Sequence, residues 1–198
     1  MTGKTHVAIG VATALTLSLD KSPENLIILV LASSLGSLVP DLDHPKAKLN
    51  QKLLWKNNKI YKTLFFIALG SIFMFLYFSK NIKPLLIISV VFFLLGISSH
   101  RGFTHSILGF LASIYMVRIG TLKYNLPFIY YGFMLGYILH LVADFFTPMG
   151  IKLFYPLNVN VSSPITIRTN SKTEKIIFML LSVYSIFLMF RYLVILKI

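Results

Sequence analysis

The stretch PFIYYGFMLGYILHLVADFFTP, residues 127–148, opens and closes on proline and contains just one histidine and one acidic residue, His140 and Asp144. Pro127 suits the first turn of a helix and Pro148 cannot continue one, so the spacing predicts a helix over 126–147. That run meets the roughly 20 residues needed to cross a bilayer core. Four residues apart on a helix, His140 and Asp144 point from one face and can converge on one ion. On a soluble surface such a pair would be unremarkable. Inside an apolar run an unpaired charge is expensive, and the pair becomes a functional signal.

Six further apolar runs lie outward from this one, at 7–19, 25–39, 63–79, 84–99, 106–119 and 176–196, with breaks at Pro23, Pro40 and Pro84. Several fall short of a full crossing, so their ends must be supported by protein or the first pair must dip into the membrane and return. With 198 residues, 56% hydrophobic and a mean hydropathy of +0.78, the chain is too apolar for a soluble domain. The expected fold is all-α: a polytopic membrane helical bundle of six to seven segments, some short or re-entrant. No Gly/Ser linker, low-complexity tract or repeat divides it, which predicts a single domain over 1–198. Residues 149–172, with Gly150, Pro156, Pro164 and the alternation VNVSSPITIRT, read as a loop or short hairpin. The start, MTGKTHVAIG, lacks a small-residue cleavage site and reads as structure, not a removable signal.

A formal charge of +13 raises nucleic acid as a partner, but the lysines are scattered among apolar runs without a recognition motif. No nucleic-acid partner is expected, and loops lying on anionic lipid account for the basic excess better. The absence of cysteine excludes disulfides and thiolate ligands. Threading seven crossings brings all the histidine-containing motifs to one side. Twelve of the 19 basic residues fall on that side, among them Lys4, Lys46, Lys48, Lys52, Lys56, Lys59, Lys62 and Arg101. Seven, including Lys21, Lys123 and Lys197, fall on the other. The asymmetry places the motif side in the cytoplasm, with the N-terminus inside and the C-terminus outside.

All five histidines sit at or near segment ends: in TH (Thr5, His6), PDLDHP (40–45), HRGFTHS (100–106) and HLVAD (140–144). Asp41, Asp43 and Asp144 share these motifs, whereas Asp20, Glu24 and Glu174 have no histidine nearby in sequence. Imidazole and carboxylate together bind divalent metals or exchange protons near neutral pH. In PDLDHP, Asp41 and Asp43 place two carboxylates in one turn, which repel unless a cation or proton intervenes. An Asx-turn would use one aspartate and leave the other, and His44, without a task. In HRGFTHS, His100 and His105 converge only if the chain bends, which Gly102 permits. Thr104 or Ser106 is placed to cap the following helix.

Together, TH at the start of the first helix, LVPDLDHP, HRGFTHS, HxxxDxxTPxG and the later YPL resemble the YdjM-type family of inner-membrane metal-dependent hydrolases, also described as LexA-binding, inner-membrane-associated hydrolases. The resemblance runs over about residues 2–170. It implies a bacterial cytoplasmic-membrane hydrolase with a divalent metal held on His6, Asp41, Asp43, His44, His100, His105, His140 and Asp144. The HxxxD arrangement is more distantly similar to the zinc-dependent phospholipase C and P1 nuclease group, which cleaves phosphate esters; Asp144 stands where that group commonly has Glu.

The leading expectation is a hydrolase acting at the cytoplasmic leaflet on a phosphate ester of a membrane lipid or polyprenyl carrier. One or two ions are expected, zinc or manganese, because the donors are nitrogen and oxygen. Asp41 or His44 would act as general base and Arg101 would grip a phosphate oxygen. Arg101 as a plain topology anchor is an equal reading. Two other functions remain open: a metal or proton transporter, and a non-catalytic scaffold with a structural metal whose basic loop 46–62 binds lipid or a partner. A transporter needs ligands at several depths, and a structural zinc closes with four ligands, fewer than are present here.

Overall fold

The computed structural model describes residues 1–45, 47–122 and 124–195; the charges assigned to Lys46, Lys123 and Lys197 lie outside the described residues. Among the described residues eight helices follow in order: α1 Gly3–Leu17, α2 Pro23–Gly36, α3 Lys48–Leu53, α4 Lys59–Lys80, α5 Lys83–Ile97, α6 Ile107–Leu122, α7 Pro127–Phe145 and α8 Lys172–Ile195. All seven expected apolar segments are helical, and α3 is an addition. Two 3-10 turns, Val39–Asp43 and Phe103–His105, carry the PDLDHP and HRGFTHS motifs. Residues 149–171 form a loop without a strand.

Local chemistry sets the ends. Prolines open α2, α5 and α7, where a missing N–H costs nothing. Asn58 caps α4 by accepting from the Tyr61 N–H at 2.9 Å, and Asn81 ends the helix in the left-handed conformation. The second apolar segment leaves α geometry at Gly36, four residues before Pro40, and passes through the tighter 3-10 turn.

Among the described residues, four segments are long and apolar enough to cross a membrane: Pro23–Asp43, Lys59–Lys80, Pro127–Phe145 and Lys172–Ile195. The 15 residues of α1 and α5 and the 16 of α6 rise only about 22–24 Å, against a core of roughly 30 Å. On α8, Ile176, Met179, Leu180, Val183, Phe187 and Phe190 are all exposed. An apolar face of that extent belongs in lipid.

Residue contacts divide the chain into two compact units. The first comprises Met1–Val39, Asn125–Gly150 and Val161–Ile198. Its apolar centre is Leu15, Leu26, Leu188 and Tyr192, joined by α1, α2 and α8. Glycine brings α2 and α7 together: a Cβ on Gly136 would lie 1.9 Å from the Ser33 carbonyl oxygen, and one on Gly36 would lie 2.2 Å from that of Phe133. Such backbone-to-backbone approach is how helices pack in lipid without a hydrophobic drive between them. It also sets the position of His140, one turn beyond Gly136. Gly136→Ala is therefore expected to lower the melting temperature in detergent by several degrees and to weaken metal binding. Gly120→Ala, where a Cβ meets nothing within 4 Å, should change neither by more than the error of a thermal-shift assay.

The second unit comprises Pro40–Tyr124 and Ile151–Asn160. Here α4 and α5 form a hairpin with Phe66, Val91, Leu95 and Phe103 at its centre. Two hydroxyls stitch it: Ser89 donates to the Gly70 carbonyl and Thr63 to the Gly96 carbonyl, both at 2.8 Å.

Candidate metal centre

The eight residues expected to hold metal fall into two groups, one in each unit. In the first unit α1 carries His6 and α7 carries His140 and Asp144, all buried. The two imidazoles stack with centroids 3.8 Å apart and planes 16° apart. Nε2 of His6 lies 3.2 Å from Oδ1 of Asp144, and Nε2 of His140 lies 3.9 Å from its Oδ2. One donor atom from each of the three lies within 4.8 Å of the others.

The tautomer of His140 follows from its second nitrogen. Nδ1–H donates to the Ser37 carbonyl at 2.7 Å, which leaves the Nε2 lone pair turned toward Asp144. This is the usual support of a metal-binding histidine, and it comes from the end of α2. Among the described residues, neither ring nitrogen of the buried His6 has a partner in hydrogen-bond geometry, its 3.2 Å approach to Asp144 included. Two stacked imidazoles and a carboxylate with orphaned nitrogen are a poor arrangement for an apolar core and a good one around a cation. The donor set therefore fits a divalent ion of intermediate hardness.

In the second unit the 3-10 turn Val39–Asp43 presents Asp41, Asp43 and, just beyond, His44. Asp43 is buried and densely bonded: Nδ1–H of His100 donates to Oδ1 at 2.9 Å, the Thr104 hydroxyl donates to Oδ2 at 2.7 Å, and Nδ1 of His105 is 3.4 Å from Oδ2. With its proton committed to Asp43, Thr104 Oγ1 accepts from the Nδ1–H of His105 at 3.1 Å. The Nε2 of His105 then carries the lone pair and points toward Oδ1 of Asp41, 3.9 Å away. Asp41 keeps 21% of its side chain exposed, whereas Asp43 keeps none. His44 and His100 meet edge to face at 4.5 Å.

The bend in HRGFTHS is made by Arg101 and Gly102 together. Arg101 takes φ +60°, a conformation costly for a side-chain-bearing residue, and Gly102, at φ −89° and ψ −119°, has no room for a Cβ, which would lie 2.8 Å from the Ser99 carbonyl oxygen. The Arg101 side chain is buried as well. Ser106 is the cap of α6, its Oγ accepting from the Gly109 N–H at 3.1 Å. Thr104 is thereby released for Asp43.

Two further groups escaped sequence reasoning. Glu174, at the start of α8, is buried and accepts from the Thr2 N–H at 2.6 Å, from the hydroxyls of Thr2 and Thr5 at 2.9 and 2.8 Å, and from the Asn170 N–H at 2.6 Å. It pins the turn of α1 that carries His6. Lys62 looked like one more surface cation but is buried, donating to the carbonyls of Asp43 at 3.2 Å and Ser98 at 2.8 Å. It ties the Asp41–His44 turn to the chain entering His100. Glu174→Gln should lower metal affinity by about 10–100-fold, as for other groups that orient ligands. Titration with a metal-sensitive dye measures it; unchanged affinity in a folded variant would remove Glu174 from the site.

The sequence profile of the YdjM inner membrane protein family matches residues 1–197. The chain belongs to this family. It is 28% identical over 179 residues to the uncharacterized protein YvsG of Bacillus subtilis (strain 168), covering 89% of this chain and 87% of that protein. It is also 28% identical over 168 residues to the inner membrane protein YdjM of Escherichia coli (strain K12) and to that of Shigella flexneri, covering 81% of this chain and 66% of each relative. No solved structure matches the chain. Membership and the four apolar spans together make it a membrane protein of the YdjM family.

Proposed function

We propose that this chain is a divalent-metal-dependent hydrolase embedded in the membrane, with its site on the cytoplasmic side, cleaving a phosphate ester of a lipid or polyprenyl substrate. The observation that carries the reading is the buried triad His6, His140 and Asp144, with Ser37 orienting His140 from behind. An ion held there would supply Lewis acidity and lower the pKa of a water beside it. His6 and His140 would bind through nitrogen and Asp144 through oxygen.

Taken by itself, the second unit carries groups suited to moving a proton and binding an anion. Asp43 is saturated by His100 and Thr104 and serves to orient them and His105. Asp41, partly exposed and facing Nε2 of His105, is the group placed to take a proton from water. His44 is the alternative base, and Arg101 is assigned to a phosphate oxygen, which would justify its strained backbone. Charge asymmetry supports a cytoplasmic motif side.

The test is a screen of purified protein in lipid against phosphate monoesters, diesters and amides with added zinc or manganese. Metal-dependent turnover of a long-chain phosphate ester, with higher kcat/KM than its short-chain analogue, is expected because tail burial adds binding energy. Arg101→Lys should weaken it, since an ammonium cannot make paired contacts. Equal rates on soluble and lipid-linked esters would remove the lipid substrate from the proposal, and absence of all metal-dependent turnover would remove the enzyme.

A further inference from the structure

Residues 44–143 contain no aspartate or glutamate, yet residues 46–62 contain six lysines. One of these, Lys62, is turned inward to the Asp43 and Ser98 carbonyls. Lys52, Lys56 and Lys59 are exposed in a stretch whose own sequence offers no acidic partner. Between them stands Trp55, 92% exposed, flanked by Leu53 at 53% and Ile60 at 67%. An indole and two aliphatic side chains so exposed among lysines do not suit water. They suit the headgroup level of a bilayer, where tryptophan is enriched and lysines meet lipid phosphates.

Chain continuity places the stretch at that level. Lys59 begins α4, one of the four segments long enough to span, so Trp55 precedes a membrane helix by four residues. Asn50 of α3 is buried and its amide donates to the carbonyls of Leu42 at 2.7 Å and His44 at 2.8 Å. The segment is therefore fastened to the turn that bears Asp41, Asp43 and His44 and is not a loose tether.

We propose that residues 47–60 form a docking surface for the headgroups of anionic phospholipids, with Trp55 seated at the interface and Lys52, Lys56 and Lys59 on the phosphates. The surface stands apart from the hydrolase reading and holds whether or not the chain is an enzyme. Trp55 is the one tryptophan of the chain and reports on itself. Full-length protein in nanodiscs of phosphatidylcholine and phosphatidylglycerol is measured with bromine on one lipid or the other, at equal bromine content.

Blue-shifted emission is expected, quenched about two-fold more by brominated phosphatidylglycerol than by brominated phosphatidylcholine, with the preference shrinking as salt screens the lysines. Lys52→Gln, Lys56→Gln and Lys59→Gln combined should equalise the two lipids; the salt series on the native chain gives the same answer if that variant does not fold. Equal quenching by both lipids in the native chain, or water-exposed emission in both, as for a surface reserved for a protein partner, would overturn the proposal.

Discussion

His140→Ala and Asp144→Ala are each expected to abolish the proposed divalent-ion binding and to lower any metal-dependent turnover on the order of 10³-fold, the several kcal/mol that Lewis-acid stabilisation would supply. The two should fall together, because both donors face one point from successive turns of α7, with Nε2 and Oδ2 3.9 Å apart. His6→Ala should join them, since its Nε2 lies 3.2 Å from the same carboxylate. Loss of the fold is the competing explanation, and Asp144→Asn separates them. It keeps volume and shape while removing the charge that would face the proposed ion. Elution as a single species, with helix content retained and metal lost, is the expected outcome. Full metal and full turnover in either α7 variant would mean that the HxxxD pair is not the site.

The second large effect is expected at Asp43. Asp43→Asn leaves His100 and Thr104 facing an amide in place of a carboxylate, in a position with no exposed surface. Removing one member of a buried charged network typically costs about 3–5 kcal/mol. The stability loss should appear as a lowered denaturation midpoint, together with a turnover loss on the order of 10²-fold as His105 is freed to rotate. Lys62→Met should reproduce part of this, because Lys62 holds the same turn through the Asp43 carbonyl. If Asp43→Asn proves as stable and active as the native chain, its network is not what holds the second group in place.

What could be read in advance divides along physical lines. The helices were legible because prolines and apolar runs act locally: Pro127 and Pro148 alone bracket α7. The His140 and Asp144 pair was legible because helical periodicity brings neighbours four apart together. Glu174 was not, since its partners Thr2 and Thr5 lie some 170 residues away and only the packing of α1 on α8 joins them. Lys62 was hidden for the opposite reason. Among six lysines in one stretch, nothing local distinguishes the one that turns inward. Division of labour between Asp41 and Asp43 was equally invisible, because two carboxylates two residues apart differ only in what the fold brings to them. In HRGFTHS the glycine was legible as a place where the chain can bend, and Gly102 does lie in the turn, but the positive φ of Arg101 beside it has no local signal.

Elemental analysis of purified protein, after mild detergent extraction and reloading with zinc or manganese, measures the central claim most directly. About one to two divalent ions per chain are expected, falling sharply in His140→Ala and Asp144→Ala, because buried nitrogen and oxygen donors so arranged should hold metal through purification. Less than about a tenth of an ion per chain in the native protein, a level no such donor set should show, would contradict the metal centre.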